Sequence, residues 1–351
     1  MVEISIIMNT CREDYPMIGL PNTFIFEPTV KTLNKQKAQI FELIIVDALY
    51  SEKRRRWLEN NAEFPVKYVN AFPNRFLENG FCAISSQKNK GLIYAEGELV
   101  VFMDDCTMFP LKDWTERIWY WYEQGYWPMS LTYYFEGGKP KLLGHSSRYV
   151  EKFYGREYDK EGNFYTFLKE GETVRDSRAD YVNASNIVKP APAGWFYGGS
   201  SASLKALLKI NGLDEKFDGK KSLEDVDLGL RLEMAGFKNR FVADSKLWHI
   251  ENWHKSVSEK VLWYRGPTPC CNYGLLRFNQ VKNLWKANSY IITYEDCLWI
   301  RENICASCFN LERCKGEEFK GKFFIECEGF RKWLELQEAF SLEKKRREIG
   351  M

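Results

Sequence analysis

Short apolar runs alternate with helical segments along the first third of the chain, and this alternation constrains the fold most. Ile4 to Met8, Glu42 to Val46, Val66 to Val69 and Glu98 to Met103 read as buried strands. Between them, segments near Pro28 to Gln39, Ser51 to Asn61 and Ser85 to Gly97 read as helices. Strand, helix and strand in turn define an α/β chain with a doubly wound, mostly parallel sheet. Ligands of such sheets bind beyond the C-terminal strand ends. There this chain writes Asn9-Thr10-Cys11-Arg12, then Asp47, then Asp104-Asp105-Cys106.

The adjacent acids Asp104 and Asp105 repel one another at a strand end unless a cation offsets them. A hard divalent ion bridging a diphosphate, with oxygen ligands, would do so. Lys88 or Lys90, on the helix before that strand, could meet a diphosphate as a point charge, and a solvated helix face is nearly as good a reading. Asp47 also has a plain structural reading as a turn or helix-capping residue.

The second informative stretch is GKKSLEDVDLGLRLEMAGFKNRFVADSKLWHIENWH, Gly219 to His254. Ser222 is a suitable N-cap, with Asp225 three residues on. Leu223, Val226, Leu230 and Met234 repeat at helical spacing, and Gly236 ends the run. Glu224, Asp225 and Asp227 therefore share the first turn. The helix dipole is expected to keep such acids ionised, as a base or metal ligand must be.

Upstream of it lies GGSSASLKALLKINGLDEKFDG, and downstream FKNRFVADSKLWH ends on His249. The order of small-residue loop, helix, NGLDE, ED helix, AGF, strand and His resembles the second half of family 2 glycosyltransferases of the GT-A fold. Chondroitin-polymerase and galactosyltransferase-like members are nearest, and the resemblance covers roughly residues 1 to 255. It implies that Asp225 is the catalytic base, with Glu224 the next candidate. It implies that Thr10, Arg12, Asp47, Lys88, Asn89 and Asp104 bind the donor, Asp47 at the base and Asp104 at the ribose. By the same resemblance Asp105 and His249 hold Mn²⁺ or Mg²⁺ at the donor diphosphate. Two departures stand out: Leu223 replaces the second glycine of a GGED motif, and Cys106 stands where many members have a third Asp.

Trp195-Phe196-Tyr197-Gly198-Gly199-Ser200 sets rings beside flexible backbone. Rings stack on sugar faces and glycines permit close approach, which makes Trp195, Gly198 and Gly199 candidates for an acceptor wall and Phe196 a core residue. From about Ser256 the resemblance ends, and residues 256–351 read as a helical module packed on a 1–255 transferase domain. Seven of the ten cysteines lie in that module. Cys305, Cys308, Cys314 and Cys327 are spaced for a structural zinc, with Cys297 or the Cys270-Cys271 pair as substitutes for the last, and an iron–sulfur cluster or free thiols as rivals.

A net charge of +2 on 351 residues offers no argument for nucleic acid. No run approaches the length of a membrane span, and a soluble, cytoplasmic protein is expected. The function expected is metal-dependent, inverting transfer of a sugar, most simply from a UDP-sugar, to a hydroxyl on a glycan. The rivals are transfer to hydroxymethylated bases in DNA, an inactive nucleotide-sugar-binding module, and nucleotidyl transfer.

Overall fold

In a computed structural model, the structure describes residues 2–12, 14, 24–105, 107–134, 141–142, 165–166, 188–190, 192–196, 199–219, 223–237, 239–249, 272–305 and 328–351. The first half runs β1 (Ile4–Thr10), α1 (Glu27–Leu33), β2 (Phe41–Asp47), α2 (Glu52–Asn61), β3 (Val66–Asn70), α3 (Ile84–Tyr94) and β4 (Leu99–Asp104). Next come β5 (Thr107–Met108), α4 (Trp114–Glu123), β6 (Trp127–Tyr134), β7 (Lys141–Leu142), β8 (Tyr165–Thr166) and β9 (Val188–Pro190). Then follow β10 (Ser200–Ser203), α5 (Leu204–Lys209), α6 (Glu224–Met234) and β11 (Asn239–His249). Four helices complete the described chain: α7 (Asn272–Val281), α8 (Tyr294–Asn303), α9 (Glu328–Glu335) and α10 (Leu342–Glu348).

Nine of these strands form one sheet in the order β3-β2-β1-β4-β10-β6-β11-β5, with β9 beside β11. β3, β2, β1 and β4 are mutually parallel, as are β6 and β11. β10 runs antiparallel between β4 and β6. The expected α/β class, with its mostly parallel sheet, is therefore the observed one.

Period-two alternation divides the strands between two cores. Ile4, Ile6, Met8, Phe41, Leu43, Ile45, Val101 and Met103 face the layer holding Val30, Leu33, Leu58 and Trp114. Ile7, Ile44, Val46, Val100 and Phe102 face the layer holding Leu92, Leu207, Leu228 and Leu232. Both faces are covered along β1, β2 and β4, so these central strands are mostly apolar, which is why the runs were readable. Helix α3 sits close on β1 because residue 91 has no side chain. A Cβ on Gly91 would lie 2.5 Å from the Ile7 Cγ2 methyl.

The first helix is shorter than its pattern, ending at Leu33 rather than near Gln39. Asn34 donates to the Asn61 carbonyl at 2.7 Å and Gln36 to that of Leu111 at 2.8 Å. These polar side chains tie the turn into β2 instead of prolonging the helix.

The C-terminal helices share a third core with the first domain's loops. Leu275, Phe278, Ile300, Phe330 and Trp333 pack with Phe76, Phe81, Ala83 and Phe217. The boundary expected at residue 255 lies outside the described residues. No described helix is long and apolar enough to cross a membrane.

Candidate active site

The register of the parallel strands sets the candidate residues in one row. Thr10 lies opposite Asp47, Asn9 opposite Asp104, and Asp47 opposite Asn70. This row is the C-terminal edge of the sheet. Strand β1 has β2 on one side and β4 on the other, so the chain's winding reverses there and leaves a crevice.

Asp104 and Asp105 occupy different environments. Asp104 is exposed, whereas Asp105 is buried, accepts from the Thr10 hydroxyl at 2.7 Å and ion-pairs with Arg12 Nε at 3.2 Å. The repulsion that called for a cation is thus already eased by Arg12. Both contacts use the same Asp105 oxygen, Oδ2. Strand β11 pairs antiparallel with β5 and sets His249 opposite Thr107, two residues past Asp105. The backbone of residue 249 thus lies at the same strand edge as Asp104 and Asp105. Among the described side chains, no group of three or more acids, cysteines or histidines converges as a ready-made ligand set.

Asp47 is wholly buried and held by structural partners. It ion-pairs with Arg54 Nη1 at 2.7 Å, accepts from the Tyr68 hydroxyl at 2.7 Å, and accepts from the Leu49 amide at 2.7 Å. Burial is the main influence on its carboxyl and raises the pKa, against the pull of Arg54. Arg54 also donates to Asp14 and, at 2.8 Å, to the Arg12 carbonyl. Asp47 therefore works as a turn residue and as the anchor of a clamp on the loop after β1. Both its oxygens are engaged within the protein. Arg54 itself is hard to single out inside an Arg-rich run. One signal was present: Ser51 caps α2 through the Arg54 amide, and Arg54 then shares a face with buried Leu58 at i, i+4.

Helix α3 carries Lys88, Asn89 and Lys90 to three different places. Lys88 is buried, with Nζ 5.8 Å over the Phe102 ring, and its charge acts on Asp225. Asn89, expected at the donor, is bonded within the protein. It donates to the Leu213 carbonyl and Glu215, and accepts from the Leu213 amide at 2.8 Å, with 2% of its surface exposed. Lys90 donates to the carbonyls of Ala71 and Phe72. The N-terminus of α3 is capped from far along the chain by Asp218, whose two oxygens accept from the Ser85 and Ser86 amides at 2.7 and 2.8 Å.

The same segment supports α6. Asp214 ion-pairs with Lys216 at 2.9 Å and with Arg231, and Arg231 also pairs with Asp227. Asn279, from α7, donates to Asp214 and Asp227. NGLDE is therefore a structural knot between α3, α6 and the C-terminal helices, and Asp227 belongs to it rather than to the crevice.

At the start of α6 the N-cap position belongs to Leu223, not Ser222, and no side chain caps it. Ser222 lies outside the described residues. Leu223 takes φ 69° and ψ −1°, left-handed backbone that a branched side chain rarely adopts. This is the position at which the resembling family writes glycine. Asp225 follows, partly buried, with Oδ1 accepting from the Val226 amide at 2.7 Å. Its carboxyl is pushed up to about 7, first by burial and then by the charges of Glu224 and Asp104, against Lys88 and the Val226 amide. The expectation that the helix dipole holds this acid ionised is thus corrected: desolvation and two neighbouring carboxylates outweigh it. Glu224 is buried beside it.

Opposite this turn, a short 3-10 helix, Ala193–Trp195, packs on α6. A Cβ on Gly229 would lie 2.2 Å from the Ala193 carbonyl oxygen, so the close approach requires glycine. Trp195 is partly buried against the second core and Phe196 wholly within it. Gly199 has φ 62°, and Gly198 lies outside the described residues. Of the expected zinc ligands, Cys305 is buried at the end of α8, while Cys308, Cys314 and Cys327 fall outside the described residues.

No protein-family model matches the chain, and no curated protein does. Among solved structures, S. aureus TarS is similar, with a TM-score of 0.43 at 13% identity over 91% of this chain. The chain spans 44% of that protein's length. A likeness of that degree carries no functional argument, and function has to be read from the site.

Proposed function

We propose that this chain is an inverting glycosyltransferase that moves a sugar from a nucleoside-diphosphate donor to an acceptor hydroxyl. One observation carries the proposal. Asp225, a partly buried carboxyl at the start of α6, stands within reach of the charges of Lys88 and of Asp104 at the sheet's C-terminal edge, and burial with Glu224 pushes it up to about 7. A general base works best when its pKa lies near the working pH. The order of motifs around it, from the paired acids to the ED helix and His249, supports sugar transfer over nucleotidyl transfer. An inactive binding module would have no use for a base tuned in this way.

In this reading the donor lies along the row Thr10, Arg12 and Asp104, with its diphosphate towards Lys88 and its ribose towards Asp104. Asp225 accepts the proton of the acceptor hydroxyl while that oxygen attacks the anomeric carbon from the face opposite the leaving diphosphate. The anomeric configuration inverts as the sugar–phosphate bond breaks. Mn²⁺ or Mg²⁺ held by Asp105 and His249 would supply charge stabilisation for the leaving diphosphate. Lys88 adds a fixed cation on the same side, and Arg12 holds Asp105 in place. Trp195, in the short helix packed on α6, would line the acceptor's entry. UDP-sugars and glycan hydroxyls are the first donor and acceptor classes to examine.

The test is a donor screen by nucleoside-diphosphate release, with and without acceptors, including glycans and DNA containing hydroxymethylated bases. Acceptor-dependent release from one donor class, removed by Asp225→Asn, is the expected result. Release that depends only on modified DNA would replace the glycan acceptor. Donor binding without release under any condition would reduce the chain to a binding module.

A further inference from the structure

Leu223 holds a backbone that glycine would adopt freely, directly before the acids of α6. Side chains other than glycine persist in left-handed backbone only where surrounding contacts hold them there. The holding contact is visible: the Leu223 side chain packs on the third core, against the cluster that contains Phe76, Phe81, Phe217 and Phe330. Its carbonyl meanwhile accepts the first helical hydrogen bond, from the Asp227 amide at 2.9 Å. Just upstream, the Gly219 amide donates to the Cys82 carbonyl at 2.7 Å. The entry to α6 is thus anchored by a side chain where helices are usually anchored by a cap.

The anchor fixes the phase of the helix. From that start Asp227 reaches the buried Arg231 and Asn279, while Asp225, two residues earlier, is left outside that network and bonded to the Val226 amide. A different entry angle would turn both acids together. We infer that Leu223 is a positioning residue: its apolar anchor and left-handed turn hold the Asp225 carboxyl towards the crevice. This rests on the catalytic reading of Asp225 and adds a residue to it.

The test compares Leu223→Gly with Leu223→Met on the full chain. Glycine keeps the turn without strain and deletes the anchor, whereas methionine keeps an apolar anchor of similar volume. Leu223→Gly should retain the fold and donor KM within about twofold, while kcat falls by roughly 10- to 100-fold through misplacement of the base. Amide hydrogen exchange at residues 224–226 should quicken in this variant, and Leu223→Met should recover most of both. Wild-type kcat and wild-type exchange in Leu223→Gly would overturn the inference, as would parallel loss of kcat, donor binding and global stability. If Leu223→Gly does not fold, Leu223→Met decides alone: near-normal kcat and exchange uphold the anchor, and a kcat loss with unchanged exchange refutes it. Exchange is measured without substrate, so a chain with no transferase activity would sink the functional proposal while the exchange comparison still tests the anchoring by Leu223.

Discussion

At the scale of single residues, the proposed chemistry concentrates on Asp225. Replacing it with Asn preserves shape and removes the proton acceptor, which should lower transfer by about 10²- to 10⁴-fold. The wild-type rate should rise with pH through about 7, as the carboxyl pushed up to that value ionises. Stability should move the other way. The ordinary value is 3.8, so between 3.8 and about 7 the folded chain holds more protons than the unfolded one. Stability therefore falls as pH rises through that window, and denaturant melts at pH 5 and pH 8 should show a smaller difference in Asp225→Asn. Arg54 acts on the donor side instead. Arg54→Lys cannot make the forked contacts to Asp14, Asp47 and the Arg12 carbonyl, so donor affinity should drop while the pH limb from Asp225 stays in place. Of the residues singled out along the strand edge, Thr10, Arg12, Asp104 and Asp105 are at the crevice. Asp47 and Asn89 are held inside the scaffold, because motif order cannot distinguish a polar residue facing a ligand from one facing the next loop.

At the scale of elements, α3 and α6 are both set by groups distant in sequence. Asp218 caps the start of α3, and Arg346 of α10 donates to the carbonyls of Leu92, Ile93 and Ala95 at its end. Arg346→Ala should cost about 1–3 kcal/mol in chemical denaturation, by leaving those carbonyls without their charged donor. The fold of α6 leans on Arg231, wholly buried between Asp214 and Asp227. Removing it leaves buried Asp227 without a cation and Asp214 with Lys216 alone, so Arg231→Met should destabilise the chain by about 3–5 kcal/mol or prevent folding. Helix α6 was legible from its apolar spacing. The start of α6 was not, because Ser222 has the local look of a cap and nothing local reveals that Leu223 is anchored by a cluster assembled from other parts of the chain. The antiparallel insertion of β10 was equally hidden, since Ser200–Ser203 has neither the length nor the apolar run of a buried strand.

At the scale of the molecule, the C-terminal helices share a third core with loops of the first half. Trp333 is fully buried and its indole donates to the Asp218 carbonyl at 2.7 Å, beside the cap of α3. Trp333→Ala should cost about 3–5 kcal/mol and lower the melting of the sheet and the helices together, as one transition. Two separate transitions would show that the module folds apart. The parallel sheet was readable because burial on both faces writes itself as continuous apolar strands. That the last helices pack on the rest was also expected, but the loops they meet were not readable, because buried Asn211, Asn288 and Asn279 fix part of that contact through hydrogen bonds that leave no hydrophobic period. What the whole assembly accomplishes, on this account, is to present one near-neutral carboxyl to an acceptor beside a bound sugar nucleotide. Nucleoside-diphosphate release, measured with donor and acceptor for the wild type and Asp225→Asn alongside donor affinity by calorimetry, tests this most directly. The account predicts a loss of release of about 100-fold or more with donor affinity unchanged. Equal release by both proteins would contradict it.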